Sequence, residues 1–85
     1  RAPGIFRALS RAVSRLRDGS HDFAAIEQEG WQALVLAGFK PDYFSVRNAA
    51  DLAPPSVDSV ELVVLAAARL DSTRLIDNLR VRIGS

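Results

Sequence analysis

At 85 residues the chain has room for one small domain, and a domain of that size buries only about 60–65% of the surface its unfolded form exposes. It holds no cysteine and a single histidine, His21, which excludes a disulfide framework, a thiolate metal centre and any relay built on two histidines. Eleven basic residues face ten acidic ones, a formal charge of +1 that makes no strong field for nucleic acid or an anionic membrane, and no apolar run approaches the ~20 residues of a membrane span.

Residues 3–17 carry a helical period. Ile5, Leu9, Ala12, Val13 and Leu16 fall on one continuous stripe, while Arg7, Arg11 and Arg15 form a second stripe on the opposite side. Pro3 suits a first helical turn, where its missing N–H is no loss. Gly19, in Asp18-Gly19-Ser20, is the expected left-handed cap. A second helix is expected over 21–37, capped by Ser20 or Asp22, with Asp22 and Glu27 placing negative charge toward its start. Phe23, Ile26, Ala33, Leu34 and Ala37 are its expected buried side, flanked by Trp31 and Val35. Gly30 interrupts a helix at a cost of about 1 kcal/mol, which close approach of another backbone would explain. Gly38 and then Pro41 are stop signals.

Residues 42–48 alternate with period two: Phe44 and Val46 on one face, Tyr43, Ser45 and Arg47 on the other. The stretch 49–59, with Pro54-Pro55, reads as a connection with one helical turn at 50–52. Residues 60–69 then form an apolar strand with no polar side, which requires cover on both faces. A short turn at 70–73 leads to a last strand over 74–83, in which Leu75, Leu79, Val81 and Ile83 share a face and Arg80 and Arg82 point the other way. The expected fold class is α+β: two amphipathic helices followed by a three-stranded antiparallel sheet, with the helices on one face. The whole of 1–85 is read as a single domain. Its other sheet face, showing Tyr43, Arg47, Arg80 and Arg82 around half of an apolar central strand, asks for a partner.

The wording of the second half is specific. Gly38-Phe39-Lys40-Pro41-Asp42-Tyr43, Arg47-Asn48-Ala49, Leu52-Ala53-Pro54, Leu62 to Arg69 and Thr73-Arg74-Leu75-Ile76-Asp77-Asn78 together resemble the carboxy-terminal domain of the pantoate–β-alanine ligase (pantothenate synthetase) family. The resemblance covers about half the chain in consistent order and spacing. It departs at Asp71-Ser72, where the family more often has Gly and a basic residue. It implies a cytoplasmic, ATP- and Mg²⁺-dependent ligase of coenzyme A biosynthesis, in which pantoate is activated as its adenylate and attacked by the β-alanine amine. It further implies an amino-terminal nucleotide-binding domain as partner, a homodimer, and a smaller carboxy-terminal domain that closes over the site as a lid. The family's His-Ile-Gly-His-type and Met-Ser-Ser-Arg-Asn-like motifs are not in this sequence: His21 stands in Ser-His-Asp-Phe, and there is no methionine. No catalytic, cofactor-binding or metal-binding residue is therefore assigned. An opening at Arg1 fits an excised or processed piece, expected to bind no cofactor and to be inactive alone.

Read without the family, the remaining candidates have structural explanations. The arginine stripe fits a solvated helix face before it fits phosphate recognition, although like charges at i, i+4 cost a few tenths of a kcal/mol. Arg69 or Arg74 is expected to pair with a buried Asp77 at the last hairpin. An acid–base pair of Asp71 and Asp77 has no support in their spacing. His21 reads as an exposed helix-start residue, and Trp31 and Tyr43 as core or interface aromatics; no aromatic–basic alternation suggests nucleic acid. The alternative to a ligase lid is a stand-alone module that self-associates through the open sheet face.

Overall fold

A computed structural model describes residues 3–83; Arg1 lies outside the described residues. Five elements follow in the order α1 (Pro3–Arg17), α2 (Phe23–Leu36), β1 (Lys40–Asn48), β2 (Glu61–Leu70) and β3 (Thr73–Arg82). The strands form one antiparallel sheet in the order β1-β2-β3, so that β2 is central and both neighbours are edges.

Both helices end in the same way. Ser20 N–H donates to the Arg15 carbonyl and Gly19 N–H to that of Leu16, each at 3.1 Å; after α2, Phe39 N–H donates to Leu34 at 2.9 Å and Gly38 N–H to Val35 at 3.0 Å. These are Schellman closures, and they turn on the positive φ of Gly19 (98°) and Gly38 (93°). At the start of α2 it is Asp22 that caps, its carboxylate accepting from Ala25 N–H at 3.1 Å, while the Ser20 hydroxyl accepts from Asp22 N–H. The second helix thus begins at Phe23 rather than at residue 21.

The core lies between the helices and one face of the sheet. Ile5, Leu9, Ala12, Val13 and Leu16 of α1 and Ile26 and Leu34 of α2 pack on Phe44 and Val46 of β1, Leu62, Val64, Ala66 and Ala68 of β2, and Val81. Ala37, expected on the buried side, is instead exposed at the α2 C-cap. Gly30 is buried, but its neighbour is not a backbone: a Cβ there would stand 2.1 Å from Cε1 of the Phe44 ring. The missing side chain is the slot for that ring.

The first strand starts two residues earlier than its alternation suggests. Pro41, a stop signal for the helix that does end before it, pairs within the strand opposite Ala68, and the register shifts between Pro41 and Tyr43 so that Asp42 is the extra residue of a bulge. Proline is tolerated there because β1 is an edge strand and the bulge is a break in the ladder. Residues 49–51 form a turn rather than a helical turn, and Leu52 takes a positive φ of 61°.

Candidate functional site

With the helices on one side, the strands present their other row of side chains to solvent. Across the sheet the register sets Arg47, Val63 and Arg80 in one rung, Ser45, Leu65 and Asn78 in the next, then Tyr43, Ala67 and Ile76, and finally Lys40, Arg69 and Arg74. Val63 (5% exposed) and Ala67 (0%) are buried although neither belongs to the cluster beneath the helices. No helix lies over them. Their cover is the longer side chains that the edge strands place on either side, and the chain's own helices leave this face open. Apolar surface remains on it at the β3 edge, where Ile76 is 62% exposed.

Charge gathers on the same face. Six of the eleven basic residues, Lys40, Arg47, Arg69, Arg74, Arg80 and Arg82, stand on it or at its ends, with the carboxylates of Asp42 and Glu61 among them. Arg74 Nε donates to Asp42 at 2.8 Å, tying β3 across the sheet to the bulge of β1, and Arg82 pairs with Glu61 at 3.5 Å. Its hydrogen bond to the Asp42 carboxylate raises the Arg74 guanidinium above its ordinary, already strongly alkaline range. A raised folded-state value means that the pair's contribution is complete below that range and is lost only in extreme alkali, so Arg74 stays charged at every working pH.

Arg47 is held from behind the sheet. Glu27 reaches from α2 to accept the outward Val46 N–H at 2.9 Å and Arg47 Nη1 at 3.3 Å, while Arg47 Nη1 also donates to the Val46 carbonyl at 2.9 Å. Glu27, expected to serve the helix dipole, therefore closes an edge-strand donor. Asn48 is a second anchor. Its backbone N–H donates to Ala53 (2.9 Å), its carbonyl accepts from Leu52 N–H (2.9 Å), and its side-chain carbonyl oxygen accepts from the Ser59 hydroxyl (2.6 Å). The Glu27 role has no local signal in the sequence, because it joins residues 19 and 20 positions apart that only the fold brings together.

The other candidates are dispersed. Asp77 is exposed and accepts from Asn78 N–H at 2.8 Å; it is not buried, and among the described residues its carboxylate is within ion-pair distance of neither Arg69 nor Arg74. By register it stands opposite Ala66 on the helix side, whereas Arg69 and Arg74 share a rung of the open face, and this is why the expected ion pair does not form. Asp71 occupies the exposed β2–β3 turn. His21 is exposed and meets the Phe23 ring edge-on at 6.1 Å. Trp31 is exposed on α2. Arg15 pairs with Glu29 of α2, whereas Arg7 and Arg11 border a groove of about 320 Å³ between the helices, with Ala33, Leu36 and Ala37. A smaller cavity of about 210 Å³ lies at the far end of β3, lined by Arg17, Glu61, Arg80 and Arg82 among others.

Among the described residues no grouping of three or more His, Asp or Glu could hold a metal ion, and no helix is long and apolar enough to cross a membrane. What the arrangement offers is a sheet face with an exposed isoleucine at one edge and cations at both ends.

Residues 1–80 match the Pantoate-beta-alanine ligase family, and the chain belongs to it. It is 52% identical over all 85 residues to a protein of Nitrosococcus oceani, 46% identical over 82 residues to one of Pseudomonas putida and 49% identical over 82 to one of Azotobacter vinelandii, each a pantothenate synthetase. The chain spans only about 30% of the length of these relatives. A crystal structure of pantothenate synthetase from Thermus thermophilus matches 92% of this chain and 28% of its own, with a TM-score of 0.78 at 30% identity. The two helices and three-stranded antiparallel sheet are thus a structural unit that also occurs inside larger ligases of pantothenate biosynthesis.

Proposed function

We propose that the chain is the carboxy-terminal, lid-forming part of a cytoplasmic ligase that joins pantoate to β-alanine. In this reading ATP and pantoate give the pantoyl adenylate and pyrophosphate. The β-alanine amine then displaces AMP to give pantothenate. The observation that carries it is the 52% identity, over every residue of the chain, to a pantothenate synthetase. The nucleotide, its Mg²⁺ and the reacting groups belong to the larger part of such an enzyme. The contribution of this part is cover: a mixed anhydride hydrolyses in water, and a closing domain that excludes water preserves it for the amine. A rigid two-layer unit, closed at its β1 edge by Glu27 and clamped by the Asp42–Arg74 pair, suits a part that moves as one body.

The reading is tested with a chimera in which this chain replaces the matching carboxy-terminal residues of the Nitrosococcus oceani protein. Pantothenate formation from pantoate, β-alanine and ATP, with one AMP released per product, is the expected result. Product formation with ADP release would refute the adenylate route, and an inactive but folded chimera would refute the assignment. The 85-residue chain by itself is expected to form no pantothenate.

A further inference from the structure

We infer that the free edge of β3 is a binding site for an extended peptide segment, which adds to the sheet as a fourth strand and alternates acidic side chains with small or medium apolar ones.

Three observations point to that edge and that occupant. The first is where the backbone groups go. In an antiparallel pair, alternate residues turn both N–H and C=O toward the neighbouring strand, and the rest turn both outward. Ala49 N–H donates to Glu61 and Ile83 N–H to Val60, which puts the outward groups on the even-numbered residues of β3 and, from Phe44 onward, of β1. On β1 the outward N–H of Val46 is taken by Glu27 and that of Asn48 by Ala53, while Pro41 and the Asp42 bulge break the start of the strand. β3 has no such closure. Its ten residues pair without a register shift, and of its outward N–H groups only that of Asn78 has a partner among the described residues, the Asp77 carboxylate at 2.8 Å. Arg74, Ile76, Arg80 and Arg82 are left as a template for another strand.

The second observation is space. Between α1 and the β3 edge lies a cavity of about 320 Å³, lined by Ser10, Val13, Ser14 and Arg17 of the helix and by Leu79 and Arg80 of the strand. A strand laid beside β3 sends every second side chain to the helix side of the sheet, where this cavity, with Val13 and Leu79 as its apolar part, receives it. The third is charge. The outward residues Arg74, Arg80 and Arg82 carry their side chains toward the other face, and Arg80 has no carboxylate within ion-pair distance among the described residues. Cross-strand neighbours of opposite charge stabilise a pair and like charges oppose it, so the second row of the added segment is acidic. The same rule disfavours a second copy. Antiparallel pairing of β3 with itself about Asp77 sets Arg74 opposite Arg80, and pairing about Asn78 sets it opposite Arg82.

A capped synthetic peptide alternating glutamate and valine, titrated into the isotope-labelled chain, tests the site. Saturable shifts of the backbone amide resonances of Arg74, Ile76, Arg80 and Arg82 are expected, with slowed exchange of their hydrogens and no response at Phe44 or Val46. A lysine–valine peptide is expected to bind about tenfold more weakly. No saturable response at β3, or an equal response at β1, would overturn the inference, and equal affinity for the two peptides would sink the acidic preference. Slow exchange at the same four amides without peptide, lost on dilution, would assign the edge to a second copy and overturn it too. Arg80→Glu is expected to narrow or reverse the preference between the peptides. Ser14→Trp, at an exposed position, is expected to weaken both by filling the cavity. Unchanged affinities in either variant would overturn the assignment to this edge. None of these outcomes bears on pantothenate formation by the chimera, so the ligase reading stands or falls separately.

Discussion

At the scale of single residues, three positions do what no local rule announces. Gly30 leaves the space that Phe44 fills; a methyl group there would drive the ring out of a packed core, which typically costs about 1–3 kcal/mol, against a helix-propensity gain of about 1 kcal/mol. Gly30→Ala is therefore expected to lower the denaturation midpoint, and an unchanged or raised midpoint would show that the ring has room to move. Glu27 satisfies an edge-strand N–H and a guanidinium at once. Glu27→Ala is expected to destabilise by about 1–2 kcal/mol, with Glu27→Gln closer to the parent because its carbonyl still accepts from Val46. Asp71 holds a positive φ of 57° at the first position of a two-residue hairpin, a place that suits glycine. Asp71→Gly is expected to stabilise by roughly 0.5–1 kcal/mol, read as a rise of a few degrees in Tm.

At the scale of elements, periodicity carried most of the information. The α1 stripe from Ile5 to Leu16 is buried as its spacing requires, and Phe44 and Val46 alternate inward as expected of a strand with one wet face. The expected class, two helices then a three-stranded antiparallel sheet, is the fold found. The misreadings have one physical origin. Pro41 correctly marked the end of the second helix, but the strand begins before it at Lys40, because a bulged edge strand tolerates proline and nothing near Pro41 in the sequence shows that β1 is an edge. Asp77 was placed on the correct side of β3, but Arg69 and Arg74 meet in a rung on the other side. The clamp at Arg74 was expected to involve the hairpin; its partner, Asp42, lies 32 residues away. At this scale the testable element is the core row of β2. Leu62→Ala, at a fully buried position, is expected to cost about 2–5 kcal/mol by denaturant titration, whereas the same change at the half-buried Leu65 on the open face costs distinctly less.

At the scale of the whole molecule, the candidate site was legible in outline and not in detail. A ten-residue strand greasy on both sides pointed to a second covering layer, and the cations flanking it could be counted from the sequence. Their gathering onto one face could not, since it depends on the register that aligns Arg47 with Arg80 and Lys40 with Arg69. The sequence supplied no catalytic assignment. The lone indole offers a practical consequence. Trp31 projects from the second helix, on the layer opposite the strands' open side, and is the only tryptophan in the chain. Its emission maximum in the isolated chain should be insensitive to anything that seats on the strands and should shift blue only when something lands on the helices. One spectrum thus tells a binder of one side from a binder of the other.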